Sequence, residues 1–292
     1  MSLLKEEDIV NILPKNGPTV KETTKYLEKY TDDFIIIKMG GSVLSNRDLF
    51  NDLIQDIVIL KKLGLSIILI HGGGSKISKK LEDLNIKSDF INGLRVTDNK
   101  IINIVEDVLV NFNKEIVDAL KSQSCGAKEI SSRENNVIIT IPENEILGFV
   151  GKPMKIKTNV LTKIVNDNEV PVIASLGLDK SNQTFNINAD SVAGAIAKNL
   201  NARRLLILSD VEGVLDKNKK LIPEINSDQA KQMIIDGVIS GGMIPKINNC
   251  LDVAKNGVKA VCIIDGRKNH SVLFELLSDK GSGTLIREWK IY

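Results

Sequence analysis

Short apolar, β-branched runs alternate along the chain with segments of helical period, the pattern of an α/β fold. Phe34–Ile37 is an uninterrupted apolar run and reads as a buried strand. Leu49, Leu53, Ile57 and Leu60 then recur three or four positions apart, as on one helix face, and Leu65–Ile70 is the next strand. The same reading expects strands at Val137–Ile141, Val170–Ala174, Leu205–Leu208 and Ala260–Ile264. Helices are expected at Ser75–Leu84, Asp98–Leu120, Asn159–Asn166, Asp190–Leu200, Asp228–Gly237 and Met243–Asn256. Hairpins are expected at Ser131–Asn136 and Leu147–Lys157. Residues 1–33 show no strand pattern, and Tyr26, Leu27 and Tyr30 give them a helix with an apolar face. The turn-rich stretch Gly177–Gln183 divides the rest into lobes 34–180 and 181–292.

Composition narrows the classes. A chain of 292 residues with 42% hydrophobic and 26% charged residues is of ordinary globular make-up. Its formal charge of +2 supplies no field for nucleic acid or a membrane surface, and 4% aromatics are too few for base stacking. No apolar run approaches the roughly 20 residues of a membrane helix. Cys125, Cys250 and Cys262 are odd in number and lack CxxC spacing, and the only histidines are His71 and His270. A disulfide frame or a zinc centre is therefore not expected, and no metal ligands are assigned. Lys5, Glu6, Glu7 and Asp8 stand where an export signal needs an apolar core, so a cytoplasmic or plastid-stromal protein is expected.

Candidate chemistry sits in the turns. Lys38-Met39-Gly40-Gly41-Ser42 follows the first strand, where glycines admit an anion and a lysine adds charge. His71-Gly72-Gly73-Gly74-Ser75 follows the second and opens a helix, whose free N–H groups attract anions. Three glycines exceed what a tight turn requires. Neither turn fits the P-loop or the dinucleotide fingerprint. Ser209-Asp210-Val211-Glu212-Gly213-Val214-Leu215-Asp216 leaves a strand at an edge of the kind that binds nucleotides. Ser240-Gly241-Gly242-Met243-Ile244-Pro245-Lys246 opens a helix with a lysine one turn in. In Asn186-Ile187-Asn188-Ala189-Asp190, an extended segment puts both asparagines and Asp190 on one face, and Asp190 equally suits a helix cap. Arg95, in Asn92-Gly93-Leu94-Arg95, is one of seven arginines and suits bidentate carboxylate recognition. Together these describe a phosphate-rich site with two lysines and no nucleophile–base pair, which suits phosphoryl transfer.

The order of these motifs, from about Phe34 to Ile286, resembles the amino acid kinase family. Gly93-Leu94-Arg95-Val96-Thr97 together with Leu147-Gly148-Phe149-Val150-Gly151 resembles its acetylglutamate-phosphorylating branch. The resemblance implies an open αβα sandwich around a mostly parallel sheet, with an N-lobe for N-acetyl-L-glutamate and dimerisation and a C-lobe for ATP and its Mg2+. It implies that Lys38 and Lys246 stabilise the transferring group and that Asp190 holds them. It assigns Gly72, Gly73, Gly74, Arg95, Asn186 and Asn188 to the acceptor. Gly40, Gly41, Ser209, Asp210, Val211, Gly213, Val214, Leu215, Gly241, Gly242 and Met243 go to the nucleotide. Glu129-Ile130-Ser131-Ser132-Arg133-Glu134 departs from the family's glycine–lysine turn. The terminal Asp265–His270, Glu275 and Gly281–Thr284 segments resemble arginine-inhibited members. That implies an L-arginine site of Tyr26, Lys217, His270, Glu275 and Gly281, a dimer or hexamer joined through residues 19–31, and a PII-type signalling partner. The alternatives are another carboxylate or carbamate kinase and an inactive arginine-sensing subunit.

Overall fold

In the computed structural model, residues 4–288 are described; the first three residues of the expected extension and the last four of the second lobe lie outside them. Two helices lead, α1 (Glu6–Ile12) and α2 (Val20–Lys29), followed by β1 (Phe34–Met39), α3 (Arg47–Lys62), β2 (Ser66–His71) and α4 (Gly74–Asp83). A small ribbon, β3 (Phe90–Ile91) and β4 (Leu94–Arg95), precedes the long α5 (Asn99–Ser122). Then come β5 (Ala127–Ile130), β6 (Ile138–Pro142), β7 (Val150–Ile156), α6 (Thr158–Asn166), β8 (Val170–Ala174), β9 (Leu176–Leu178) and β10 (Thr184–Ile187). The remainder is α7 (Ala189–Asn199), β11 (Arg204–Ser209), β12 (Glu224–Ile225), α8 (Ser227–Ile235), α9 (Met243–Lys255), β13 (Ala260–Asp265), α10 (Ser271–Leu277) and β14 (Gly283–Ile286).

Eight strands form one sheet in the order β12-β14-β13-β11-β1-β2-β8-β5, parallel except where β14 runs against β13. Its strands are apolar at nearly every position because both faces are covered. Ile35 and Ile37 enter one core with α3, α5 and α10, while Ile36 enters the other with α6, α7 and α9. The expected αβα sandwich is the observed architecture. Four further strands, β10-β7-β6-β9, close a small barrel beside it.

One local expectation is corrected. Ser131–Asn136 is not a hairpin: it carries the chain from β5 in the main sheet to β6 in the barrel. The hairpin there is β6–β7, and Leu147–Lys157 supplies its return strand. Gly177–Gln183 spans part of β9 and the turn into β10, inside the barrel, with Asp179 Oδ1 accepting from the Ser181 and Gln183 N–H groups. The strands β5, β9, β10, β12 and β14 had no apolar run long enough to announce them.

Candidate active site

The chain places β2 on one side of β1 and β11 on the other, so the carboxyl end of β1 is a topological switch point where a crevice opens. Lys38 near the end of β1, Gly72–Gly74 beyond β2 and Ser175 beyond β8 line a cavity of 240 Å³ there, together with Arg95, Asn186, Asn188 and Asp190. A second cavity of 800 Å³ continues past Asp190 to Gly241, Gly242 and Lys246 at the start of α9.

Asp190 stands between the two. Its Oδ1 is 2.9 Å from Lys38 Nζ and its Oδ2 is 2.9 Å from Lys246 Nζ. Burial would push this carboxyl up, but the two ammonium groups outweigh it and hold it at about 2. Asp190 is free for this duty because it does not cap α7. Asn188 does, its Oδ1 accepting from the Asp190 and Ser191 N–H groups at 2.8 and 3.2 Å. The expectation of Asp190 as cap or as part of an extended face is thus corrected: it lies in the first helical turn. Gly40 is fixed by the same triad, since a Cβ there would overlap the Lys38 ammonium.

The other motifs are knitted to this centre through backbone. Thr97 N–H donates to Leu147 O, Phe149 N–H to Thr97 O and Asn186 N–H to Phe149 O, at 3.0, 2.7 and 2.9 Å. Gly148, at φ 65°, lies so close to the Thr97 carbonyl that any side chain would collide with it. Arg95, 7% exposed, donates to the hydroxyls of Ser88 and Ser78 and to Gly74 O, and its guanidinium lies 4.6 Å from the Phe90 ring centre. A rigid cation with π and hydroxyl support is thereby aimed along the cavity wall.

Residues 33–265 match the amino acid kinase family. The chain is 68% identical over 288 residues to an acetylglutamate kinase of Pelagibacter ubique, covering 99% of this chain and all of that protein. It is 41% identical to the acetylglutamate kinase of Nitrobacter hamburgensis, covering 92% and 95%. The chain belongs to the amino acid kinase family. Among solved structures, smu.665 from Streptococcus mutans superposes with a TM-score of 0.74 at 30% identity, covering 87% of this chain and 98% of that one. The N-acetylglutamate synthase of Neisseria gonorrhoeae, solved with coenzyme A and N-acetyl-glutamate, gives a TM-score of 0.84 at 21% identity over 93% of this chain. The chain spans only 63% of that synthase, and the likeness is one of fold.

The structure brings most of the expected residues together and leaves others apart. Lys38, Gly40, Gly41, Gly72, Gly73, Gly74, Arg95, Asn186, Asn188 and Asp190 line the first cavity, and Gly241, Gly242 and Lys246 the second. Met243 packs instead against the core under α9. Ser209, Asp210, Val211, Gly213, Val214 and Leu215 leave the same sheet edge but line neither cavity. Val214 is buried, its N–H held by Thr284 Oγ1 at 2.8 Å, and Leu215 bridges to Leu221. Sequence reasoning missed Ser78 and Ser88, the hydroxyls that aim Arg95, and Ser175 at the end of β8. Ser175 stands directly after an apolar strand run, the one available signal for it.

Of the expected regulatory residues, His270, Glu275 and Tyr26 each have partners of their own. His270, just before α10, has its Nδ1 2.7 Å from Asp56 Oδ1 of α3, and Glu275 within α10 accepts from Ser282 N–H at 2.8 Å beside Gly281. Tyr26 donates to Asp279 at 2.9 Å, and Lys217 lies exposed in the turn between Leu215 and Leu221. The departed turn at 129–134 forms without glycine: Ser131 Oγ accepts from the Arg133 and Glu134 N–H groups. Arg133 reaches back to Asp107 and Glu106 of α5 at 2.6 and 3.1 Å. No group of three or more His, Cys, Asp or Glu side chains suited to a metal occurs among the described residues, and lysines engage both Asp190 oxygens. That donor set fits magnesium carried on phosphates and water rather than caged by protein.

The depressed Asp190 carboxyl makes a pH prediction. Because its folded value lies below the unfolded one, its stabilisation is complete above about pH 4 and is lost as pH falls towards 2. Urea unfolding of wild type and Asp190→Asn should differ at neutral pH and converge as the acid limb is crossed. Parallel curves over that window would contradict the triad.

Proposed function

We propose that this chain transfers the γ-phosphoryl group of ATP to the side-chain carboxylate of N-acetyl-L-glutamate, giving N-acetyl-L-glutamyl 5-phosphate in arginine biosynthesis. The observation that carries the reading is the Lys38–Asp190–Lys246 bridge between two neighbouring cavities that share Asn188 and Asp190 in their walls. The two curated kinases of the same name, at 68% and 41% identity, support the substrate. Both are bacterial, which favours a bacterial cytoplasm over a plastid.

A carboxylate oxygen is already ionised at neutral pH, so the acceptor needs no general base. It attacks the γ-phosphorus in line while the bond to the β-bridging oxygen breaks and ADP departs. Charge moves onto the equatorial oxygens, and positioning with electrostatic stabilisation does the rest. Lys38 serves from the acceptor side and Lys246 from the nucleotide side. Asp190 holds the two ammonium groups in place, one on each carboxylate oxygen. N–H groups of Gly72–Gly74 receive acceptor and phosphoryl oxygens, Arg95 receives the α-carboxylate, and Asn186 and Asn188 border the acyl amide. The nucleotide lies along Gly241 and Gly242, with the Ser209–Leu215 segment beyond. Magnesium bound to the triphosphate supplies further neutralisation of phosphate charge.

The two halves act as lobes in this reading, residues 34–180 for the acceptor and dimerisation and residues 181–292 for ATP. The retained lysine–aspartate bridge disfavours an inactive sensing subunit. Arginine feedback is placed at the seam where α2 meets α10, near Tyr26, Glu275 and Gly281; a hexamer joined through α2 and a PII-type partner belong to the same proposal. Glu275 supports it as a largely buried carboxylate able to receive a guanidinium.

Lys38→Ala and Lys246→Ala should each lower kcat by at least about 100-fold, as loss of a strong electrostatic donor does. Near-normal turnover of either folded variant contradicts the mechanism. Arg95→Lys keeps the charge but loses the planar fork, so the KM for N-acetyl-L-glutamate should rise far more than that for ATP; a rise confined to ATP would put Arg95 on the nucleotide. Removing residues 1–31 should reduce a hexamer to dimers and weaken arginine inhibition. A truncated enzyme of unchanged size and arginine response removes the regulatory part of the proposal.

A further inference from the structure

Asn113 is a fully buried polar residue on the apolar face of α5, between Phe112 and Ile116 of the core. Its amide Nδ2 lies 3.0 Å from His71 Nε2, 2.9 Å from the Val172 carbonyl oxygen and 3.4 Å from that of Ile130. Carbonyl oxygens only accept, so the atom facing His71 is a donor and Nε2 accepts from it. The proton of the ring therefore sits on Nδ1, which donates to the Gly72 carbonyl at 3.0 Å. Phe112 packs edge-on against the ring with centres 5.1 Å apart.

The consequence falls on the glycine loop. In a trans peptide the C=O and the following N–H point in opposite directions. Holding the Gly72 carbonyl against the His71 ring turns the Gly73 N–H away from it, on the stretch of loop that lines the 240 Å³ cavity. Among the described residues no backbone carbonyl outside regular elements accepts from Gly73 N–H. A side chain at Gly73 would collide with Leu109 of α5, so the position needs glycine and its backbone depends on outside contacts for its orientation. Burial lowers the His71 ring to about 4, opposed by its bond to Gly72 and aided by Lys76, so it is neutral at physiological pH with one proton to place. Lys76 of α4 is the charged group acting on the ring, and it is itself paired with Glu115 of α5 at 3.4 Å.

We propose that Asn113 is a positioning residue for the transfer: by fixing the His71 tautomer, it locks the Gly72–Gly73 peptide with its N–H presented to the anionic oxygens in the cavity. This inference rests on the phosphoryl-transfer reading of the same site. A loop of three glycines needs such a lock, because without one its peptides rotate freely and the donors are not preorganised.

The test combines nitrogen NMR of the His71 ring in the whole wild-type chain with kinetics of two variants. The wild-type ring should show a protonated Nδ1 and a bare Nε2; the opposite tautomer overturns the inference irrespective of any activity. Asn113→Leu should lower kcat by about 10–100-fold, with both KM values within about threefold of wild type. A folded Asn113→Leu with wild-type kcat overturns it. Asn113→Asp places a carboxylate on Nε2, so the ring binds a second proton and keeps its bond to Gly72 only while charged. Its kcat should fall as pH rises between about 6 and 9, a limb that wild type lacks, whereas a profile parallel to wild type overturns the inference. This variant and the ring spectrum decide the matter should Asn113→Leu fail to fold. Absence of transfer by wild type itself would instead refute the function, and the ring spectrum separates the two failures.

Discussion

Two lysine ammonium groups on one largely buried carboxylate are the constraint around which the molecule is arranged. Lys38 rises from the end of β1, Lys246 from the first turn of α9, and Asp190 from the first turn of α7, so three distant stretches of chain meet at one point. Lys38 is buried and Lys246 partly so, and an unpaired buried charge costs several kcal/mol. Asp190 offsets that cost for both, and the helix N-terminus on which it stands favours its negative charge. A structural salt bridge would be satisfied by one partner. Keeping two cations in reserve at a cavity fits a site that receives an anion.

The surrounding glycines serve distances rather than flexibility. Gly40 leaves room for the Lys38 ammonium, Gly148 for the Thr97 carbonyl, and Gly73 for Leu109. At Gly74 the position of a side chain is open space, so there the missing Cβ leaves the cavity clear. The barrel strands β7 and β10 pair at Val150–Asn186 and Gly151–Ile187, which brings the asparagine segment beside the sheet edge carrying Lys38. The Arg95 guanidinium is held by Ser88 and Phe90 from the ribbon segment beside it and by Ser78 from α4.

The central sheet was legible because its strands are buried on both faces: Phe34–Ile37 and Leu65–Ile70 are continuous apolar runs that admit little else. Short strands that face the barrel or the edge, such as Leu176–Leu178 and Gly283–Ile286, carry glycine and threonine and leave no periodic trace. The lysines and the glycine turns were legible because their spacing follows strand ends. Which residue caps α7 was not: Asn188 and Asp190 are equivalent in propensity, and only the lysines from elsewhere in the chain decide between them. Asn113 and Ser78 were invisible for the same reason, each reading as an incidental polar residue on a helix until its partner from another element is in place. The arginine-site residues were grouped by resemblance; in the structure Asp56 partners His270 and Ser282 partners Glu275, contacts that no local pattern in the sequence announces.

Formation of an acyl phosphate is the property that tests the proposed activity most directly. Purified chain, ATP and magnesium should be incubated with N-acetyl-L-glutamate, glutamate, aminoadipate and bicarbonate plus ammonia in turn, with hydroxylamine trapping any activated carboxylate as its hydroxamate. Hydroxamate should form with N-acetyl-L-glutamate, in step with ADP release and well above the other acids. ADP release without hydroxamate, or hydroxamate with glutamate, aminoadipate or the carbamate mixture in preference, would contradict it.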